Sequence, residues 1–305
     1  MAFQRLPWDP DTWYTDVHMF GEREFGSVYL IDDEKTVIVE TGTSNDVAAI
    51  LAALKEFGRT PADVDALIVS HIHLDHAGGA GFLLESMPNA TVYVHERGHK
   101  HLADPTRLLA SAASALQDMV AKFGTMRPIR TDRLVAVKDG DTLDLGSRVL
   151  TFRHTPGHAP HELIVEDGKN RCIYTGYEAG LWLPSDRLLL PVTPAPAFDL
   201  ERNLESFTKM VAYEPKALLF SHYGPHTEPR KAAETQLQQY ATWAQVVRAR
   251  TRAHENEAEI VEELYAQHCR GATHYSPEFL RDRVRVSVLG LIDYHGRLER
   301  APPGR

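Results

Sequence analysis

Four side chains able to ligate a metal fall within the six residues His71-Ile72-His73-Leu74-Asp75-His76. Neutral imidazole with carboxylate suits zinc, iron or manganese better than calcium or magnesium, which favour oxygen ligands. The apolar run at 66–70 reads as a buried strand delivering the motif. Alternation at its end would send His71 and His73 to one side, and a bend would aim Asp75 and His76 at a neighbouring position. One short segment could therefore feed two adjacent metals. Glycines at 78, 79 and 81 allow the tight turning and close backbone approach that a crowded pocket needs. With 16 histidines in the chain a stray His-x-His pair means little. The added Asp-His pair and the glycines after it point to metal chemistry rather than a solvated loop.

Three further places pair polar residues with strand ends, which is how sheets present sites in edge loops. His158 closes His154-Thr155-Pro156-Gly157-His158 after an apolar run ending at Phe152, and His222 follows the run 216–221. Thr175-Gly176-Tyr177-Glu178 follows the third. Candidates for delivering a proton to a leaving group are Tyr177, Tyr223 and His161. Glu162 and His95 are candidates for orienting ligand imidazoles. Apolar segments at 180–184 and 188–196 could line a greasy pocket, with the helical stretch 104–123 as a lid. No arginine cluster near the motifs would grip a phosphate.

The elements that must hold these residues alternate along the chain. Strands are predicted at 27–31, 36–40, 66–70 and 91–95, with a helix at 46–57 capped by Ser44 or Asn45 and another near 81–86. A second batch of strands is predicted at 133–137, 148–152, 162–165 and 171–175, then a helix at 200–213 and a strand at 216–220. After His226 the sequence reads only as helix, at 229–267 and 277–291. A net charge of −9 argues against a general nucleic-acid or anionic-membrane binder. Two cysteines make no disulfide framework, and no apolar run reaches the length of a signal peptide core or a membrane span. A cytoplasmic protein is expected.

The order of these motifs resembles the metallo-β-lactamase superfamily over residues 15–226, and glyoxalase-II-like metal-dependent hydrolases more than secreted β-lactamases. The resemblance implies an α/β (α+β) fold: an αββα sandwich of two mixed sheets flanked by helices, over residues 1–226. Residues 227–305 would be a C-terminal helical extension packed on it. By position, His71, His73 and His158 would hold one metal, and Asp75, His76 and His222 a second. Two zinc ions per chain are expected, with iron or manganese as alternatives, and Asp75 would also orient the nucleophile. One departure stands out: Tyr177 occupies the place of the aspartate that usually bridges the metals, with Glu178 beside it as a substitute ligand. Hydroxide alone would then bridge. The implied reaction is hydrolysis of a carboxylic ester, lactone or thioester by metal-bound hydroxide. Alternatives are β-lactam hydrolysis and a mononuclear-iron oxygenase of the persulfide-dioxygenase kind. The expected partner is a small-molecule substrate, without nucleic acid or membrane, and the C-terminal helices could form a homodimer.

Overall fold

The computed structural model describes residues 2–116 and 119–300. Positions 117–118, inside the stretch expected to be one helix, lie outside the described residues. The first sheet runs in chain order: β1 (Gln4–Arg5), β2 (Thr12–Asp16), β3 (Ser27–Asp32), β4 (Thr36–Val39), β5 (Val64–Ile68), β6 (Thr91–His95) and β7 (Leu134–Val137). It is antiparallel up to β4 and parallel from there on. Parallel neighbours need crossovers. These are α1 (Val47–Phe57), then α2 (Leu74–Ala77) with α3 (Ala80–Ser86), then α4 (Glu96–Ala103), α5 (Thr106–Leu116) and α6 (Val120–Phe123).

The second sheet is built from β8 (Thr142–Asp144), β9 (Val149–His154), β10 (Leu163–Asp167) and β11 (Cys172–Tyr174). The ribbon β12 (Leu181–Leu183) with β13 (Leu188–Leu190) and the helix α7 (Leu200–Ala212) intervene before β14 (Ala217–Phe220) and β15 (Gly224–His226). Its order is β15-β14-β11-β10-β9-β8, and only the β11–β14 pair is parallel. Three helices follow: α8 (Pro229–Arg252), α9 (Glu257–His268) and α10 (Pro277–Arg300).

Period-two alternation sorts the strand side chains into layers. Tyr29, Ile31, Val37, Val39 and Ile68 face Phe152, Leu163, Val165, Tyr174 and Leu219 in one buried cluster between the sheets. The alternate residues Leu30, Ile38, Leu67 and Val92 join Ile50, Leu54 and Leu83 under the helices of the first sheet. Ile164, Ile173, Leu218 and Phe220 meet Phe207 and Met210 of α7 on the far side. This is the four-layer αββα arrangement expected. The last three helices contribute Trp243, Val247, Ile260 and Leu291 to the same cluster as Leu30 and Ile38, so their apolar faces are continuous with the core of the sandwich.

Two local expectations are corrected. The helix at 47–57 is preceded by Asp46 rather than capped by Ser44 or Asn45. Asp46 Oδ2 accepts from the Thr43 backbone N–H and hydroxyl at 2.8 and 2.7 Å. Ser44 and Asn45 instead tie this loop to the end of α6: Ser44 Oγ accepts from Thr125 N at 2.9 Å, and Asn45 Nδ2 donates to Lys122 O at 3.1 Å. The strand before the motif ends at Ile68, so His71 and His73 sit in a loop and not on a strand face. Among the described residues no helix is long and apolar enough to cross a membrane.

Candidate metal centre

Three connections converge at one end of the sandwich. The loop after β5 carries His71 and His73, and α2 begins immediately after His73 with Asp75 and His76 in its single turn. Gly79 follows because its α-carbon packs against the carbonyl of Thr41, where a Cβ would collide with backbone oxygen. The loop after β9 supplies His158, and the turn between β14 and β15 supplies His222. A backbone bond from Leu163 N to Ser70 O (2.9 Å) ties the first two connections together, and one from Trp182 N to His222 O (3.0 Å) ties the third to β12.

The side chains form two groups of ligand atoms, His71–His73–His158 and Asp75–His76–His222, each within 4.8 Å. In the first, His73 Nδ1 lies 3.0 Å from His71 Nε2 and 3.2 Å from His158 Nε2. In the second, His222 Nε2 is 3.2 Å from His76 Nε2, and Asp75 Oδ2 lies 3.6 and 3.7 Å from those nitrogens. Zinc–nitrogen bonds of about 2.0–2.1 Å would place tetrahedral ligands about 3.3 Å apart. Both groups have that spacing, so the residues present fit a pair of transition-metal ions.

Protonation agrees with the geometry. Burial, reinforced by neighbouring imidazoles, pushes His71 and His158 well below the ordinary histidine range; burial with His158 takes His73 down to about 3. Burial followed by His76 and Arg283 depresses His222. Neutral imidazoles keep the lone pairs a metal requires. His76 is raised: burial opposes its charge, but the carboxylates of Glu40 and Asp75 outweigh it. The outer ring atoms are held in turn. His158 Nδ1 faces the carbonyl of Val192 at 3.3 Å, so it must carry the proton, which leaves Nε2 free to ligate. His71 Nδ1 meets Ser70 Oγ at 3.0 Å. His76 Nδ1 meets Glu40 Oε1 at 3.2 Å, and Glu40 also accepts from Ser221 Oγ at 2.9 Å. Glu40 reaches inward from a left-handed backbone conformation, φ +68°, the kind of local strain that collects at functional sites.

Glu40 was not anticipated from the sequence, and the expected orienting residues do other things. Glu162 Oε1 accepts the backbone N–H of Tyr177 at 2.8 Å, holding the 175–178 turn rather than an imidazole. His95 stacks on His154 at 3.7 Å between centroids. Glu178, the expected substitute ligand, is buried beside Asn203 Nδ2 at 3.4 Å and belongs to neither group. The turn is tight because Gly176 has φ +54° and lies against Ser70 and Glu162. It delivers Tyr177 between the groups, with ring centroids 4.7 Å from His158 and 4.6 Å from His222. Tyr223 does not line the cavity. Its ring packs against Tyr14 at 5.9 Å instead.

Above the two groups opens a cavity of about 250 Å³, lined by His73, Asp75, His158, His161 and Tyr177 at its base. Its walls are Leu108, Ser111, Ala112, Leu116 and Phe123 from α5 and α6, Val192 with Pro194 to Ala197, and Arg283 and Val286 of α10. Described residues of 104–123 and part of 188–196 thus line the pocket. The segment 180–184 does not: Leu181 and Leu183 are in the core, and Trp182 packs on His226 at 4.6 Å.

The sequence profile of the metallo-beta-lactamase superfamily matches residues 21–222. The chain belongs to this superfamily. Its relatives include the metallo-beta-lactamase fold-containing protein ST1585 of Sulfurisphaera tokodaii, 29% identical over 208 residues, 66% of this chain and 74% of that protein. The crystal structure of ST1585 superposes with a TM-score of 0.69 at 26% identity, covering 88% of this chain and 93% of that one. An acyl-coenzyme A thioesterase, MBLAC2 of Gallus gallus, is 27% identical over 136 residues, covering 38% of this chain and 44% of that protein. A nitric oxide reductase of Moorella thermoacetica is 28% identical over 166 residues, 54% of this chain and 32% of that protein. In the last two cases the match spans less than half of the relative. The superfamily is one of metal-binding, largely hydrolytic proteins, and this chain has the clusters of metal-capable side chains to match.

Proposed function

We propose that this chain is a dinuclear metal hydrolase acting on a carboxylic ester, lactone or thioester with an apolar acyl part. The observation that carries the reading is the floor of the cavity, where two convergent ligand groups lie beneath walls of leucine, alanine, phenylalanine and proline. His71, His73 and His158 would hold one ion, and Asp75, His76 and His222 the other. When bound, such ions supply Lewis acidity, lowering the pKa of water and polarising a carbonyl.

The chain's own residues do the rest. The walls desolvate the acyl part and orient it over the floor. Tyr177 Oη donates at 3.0 Å to Asp75 Oδ2, the same oxygen that faces the His76 and His222 nitrogens, and so fixes the orientation of that carboxylate. Burial first, then the charge of Asp75, raises the Tyr177 phenol well above its ordinary range, so it remains a proton donor at neutral pH. His161 lines the same cavity with Nδ1 buried and without a partner, and burial pushes its pKa to about 2. It is therefore a neutral imidazole that neither donates a proton as an acid nor takes one up as a base at neutral pH, and is left to hydrogen-bond a group in the cavity. The thioesterase relative supports thioesters as the first substrates to try.

The test is metal content by elemental analysis of protein purified without added metal, with hydrolysis assays on thioesters, esters and lactones. About two zincs per chain with turnover, both lost in a His73→Ala/His158→Ala double variant, is the expected result. Turnover retained by the double variant sinks the site. The nitric oxide reductase relative gives a second reading, redox chemistry on iron, and about one or two irons per chain with no hydrolysis would put it first.

A further inference from the structure

We propose that Arg283 is the anion-recognising group of this cavity, binding a single carboxylate carried by the substrate away from its scissile carbonyl. The proposal deepens the hydrolase reading and rests on it for the word substrate. Its ligand chemistry stands on Arg283 alone.

α10 carries five arginines, of which Arg300 is exposed at the helix end and three others are paired with acids. Arg281 pairs with Glu262, Arg285 with Glu257, and Arg297 with Asp293 at 2.8 Å. Arg283 has no ion pair or hydrogen bond among the described residues, and its Nε is buried without an acceptor. Its neighbour Asp282 lies 3.9 Å from Lys122 Nζ instead. The guanidinium is held by rings only, 5.6 Å from the centroid of Phe20, 5.7 Å from Phe25 and 5.3 Å from Phe279. Aromatic faces attract a cation but accept none of its N–H groups in the plane of the fork, so the donors remain unspent. An unpaired charge in a partly buried place is costly, and a cavity wall is where an incoming anion would relieve that cost.

Charge and shape narrow the anion. Arg283 is the one arginine or lysine among the described residues lining the cavity. One guanidinium balances one negative charge. A carboxylate matches its planar fork, whereas a phosphate dianion would be left half-compensated. Apart from Ser111 the rest of the wall is apolar, so the fitting compound is an acyl derivative with a short hydrocarbon chain and one carboxylate.

The experiment compares two probes with one skeleton, 4-phenylbutyrate and neutral 4-phenylbutanol, titrated calorimetrically into the full chain as purified. The acid is expected to bind at least about tenfold more tightly, as for a charge-assisted hydrogen-bonded pair. The preference should fall to within about twofold in Arg283→Met and survive in part in Arg283→Lys. Repeating the titration after chelation removes any share owed to a metal, so a chain that proved to bind no metal would overturn the hydrolase reading without touching this result. An acid that binds no better than the alcohol, including the case where neither binds, overturns the proposal. So does a preference unchanged in Arg283→Met. Should that variant fail to fold, the NMR signal of Arg283 Nε–H in the native chain decides. It is expected to move with the acid and not with the alcohol, and equal movement with both overturns the proposal.

Discussion

The Tyr177 phenol donates a hydrogen bond of 3.0 Å to Asp75 Oδ2, and through it a neutral side chain stands between two groups of metal-capable ligands. A carboxylate in that place could serve both ions. The phenol touches one ligand of the second group and stacks on the imidazoles of both. The two groups are therefore linked by packing and by hydrogen bonds of Tyr177 and of Ser70, whose Oγ lies 3.0 Å from His71 Nδ1 and 3.4 Å from His76 Nδ1, rather than by a shared charge.

Tyr177→Asp is accordingly expected to raise the occupancy of the second metal, read as metal per chain after dialysis against a weak chelator. Without metal the same variant places a second carboxylate beside Asp75, and should be less stable than the parent by about 2–3 kcal/mol in urea denaturation. Unchanged stoichiometry would show that the missing bridge does not limit binding.

Glu40→Gln should leave the fold intact and weaken metal binding by about 10–100-fold, because the carboxylate that holds His76 Nδ1 at 3.2 Å is lost. Competition with a chromophoric chelator measures it. Equal affinity in the variant would mean that His76 is oriented by packing alone.

The stability of the chelated protein should fall with acidity. Burial, aided by His154 next to it, lowers His95 to about 4, and burial lowers His161 to about 2, both from an ordinary value of 6.5. The unfolded chain then takes up protons near 6.5 that the folded chain refuses. The stabilisation is complete above 6.5 and is lost as pH falls toward about 4 for His95 and lower for His161. Each such proton gives a slope of up to about 1.4 kcal/mol per pH unit. His76, shifted upward, acts in the opposite sense. Urea midpoints measured between about pH 7 and pH 5 should decrease, and His161→Leu should flatten the decline. A midpoint independent of pH would refute the buried, neutral state of these imidazoles.

A chain ending after His226 should not fold to a soluble form. Gln236 Nε2 donates to Ala179 O at 2.8 Å, Thr193 Oγ1 donates to Ser287 O at 2.6 Å, and Phe198 stacks near Tyr240 at 6.3 Å. Removing the last three helices would strand these partners and expose Leu183, Leu190 and Phe198. Soluble expression, a cooperative melt and absence of dye binding to apolar surface would show instead that residues 1–226 form an independent unit.

By itself the sequence determined what is local. His71, His73, Asp75 and His76 meet because one loop and one helical turn carry all four, and the spacing is visible in six letters. The strands of both sheets were legible wherever several apolar residues alternated. β1, β8, β12, β13 and β15, at two or three residues each, are too short to show a period, and β2 (Thr12–Asp16) sets its two aromatics side by side rather than alternating them. His222 stood out because it directly follows an apolar run, and His158 because it closes the Pro-Gly loop after another. Tertiary structure alone decided the rest. Glu40 reaches His76 across the β4–β5 crossover, Val192 O holds His158 from 34 residues away, and Tyr223 turns from the site that its neighbour enters. Arg283 comes to the cavity from the other end of the chain. The physical reason is the same in each case. A spacing of a few residues fixes which side chains share a loop, but which distant backbone or helix face covers that loop depends on how the two sheets pair and on which apolar surfaces the helices must bury. No local pattern records that choice.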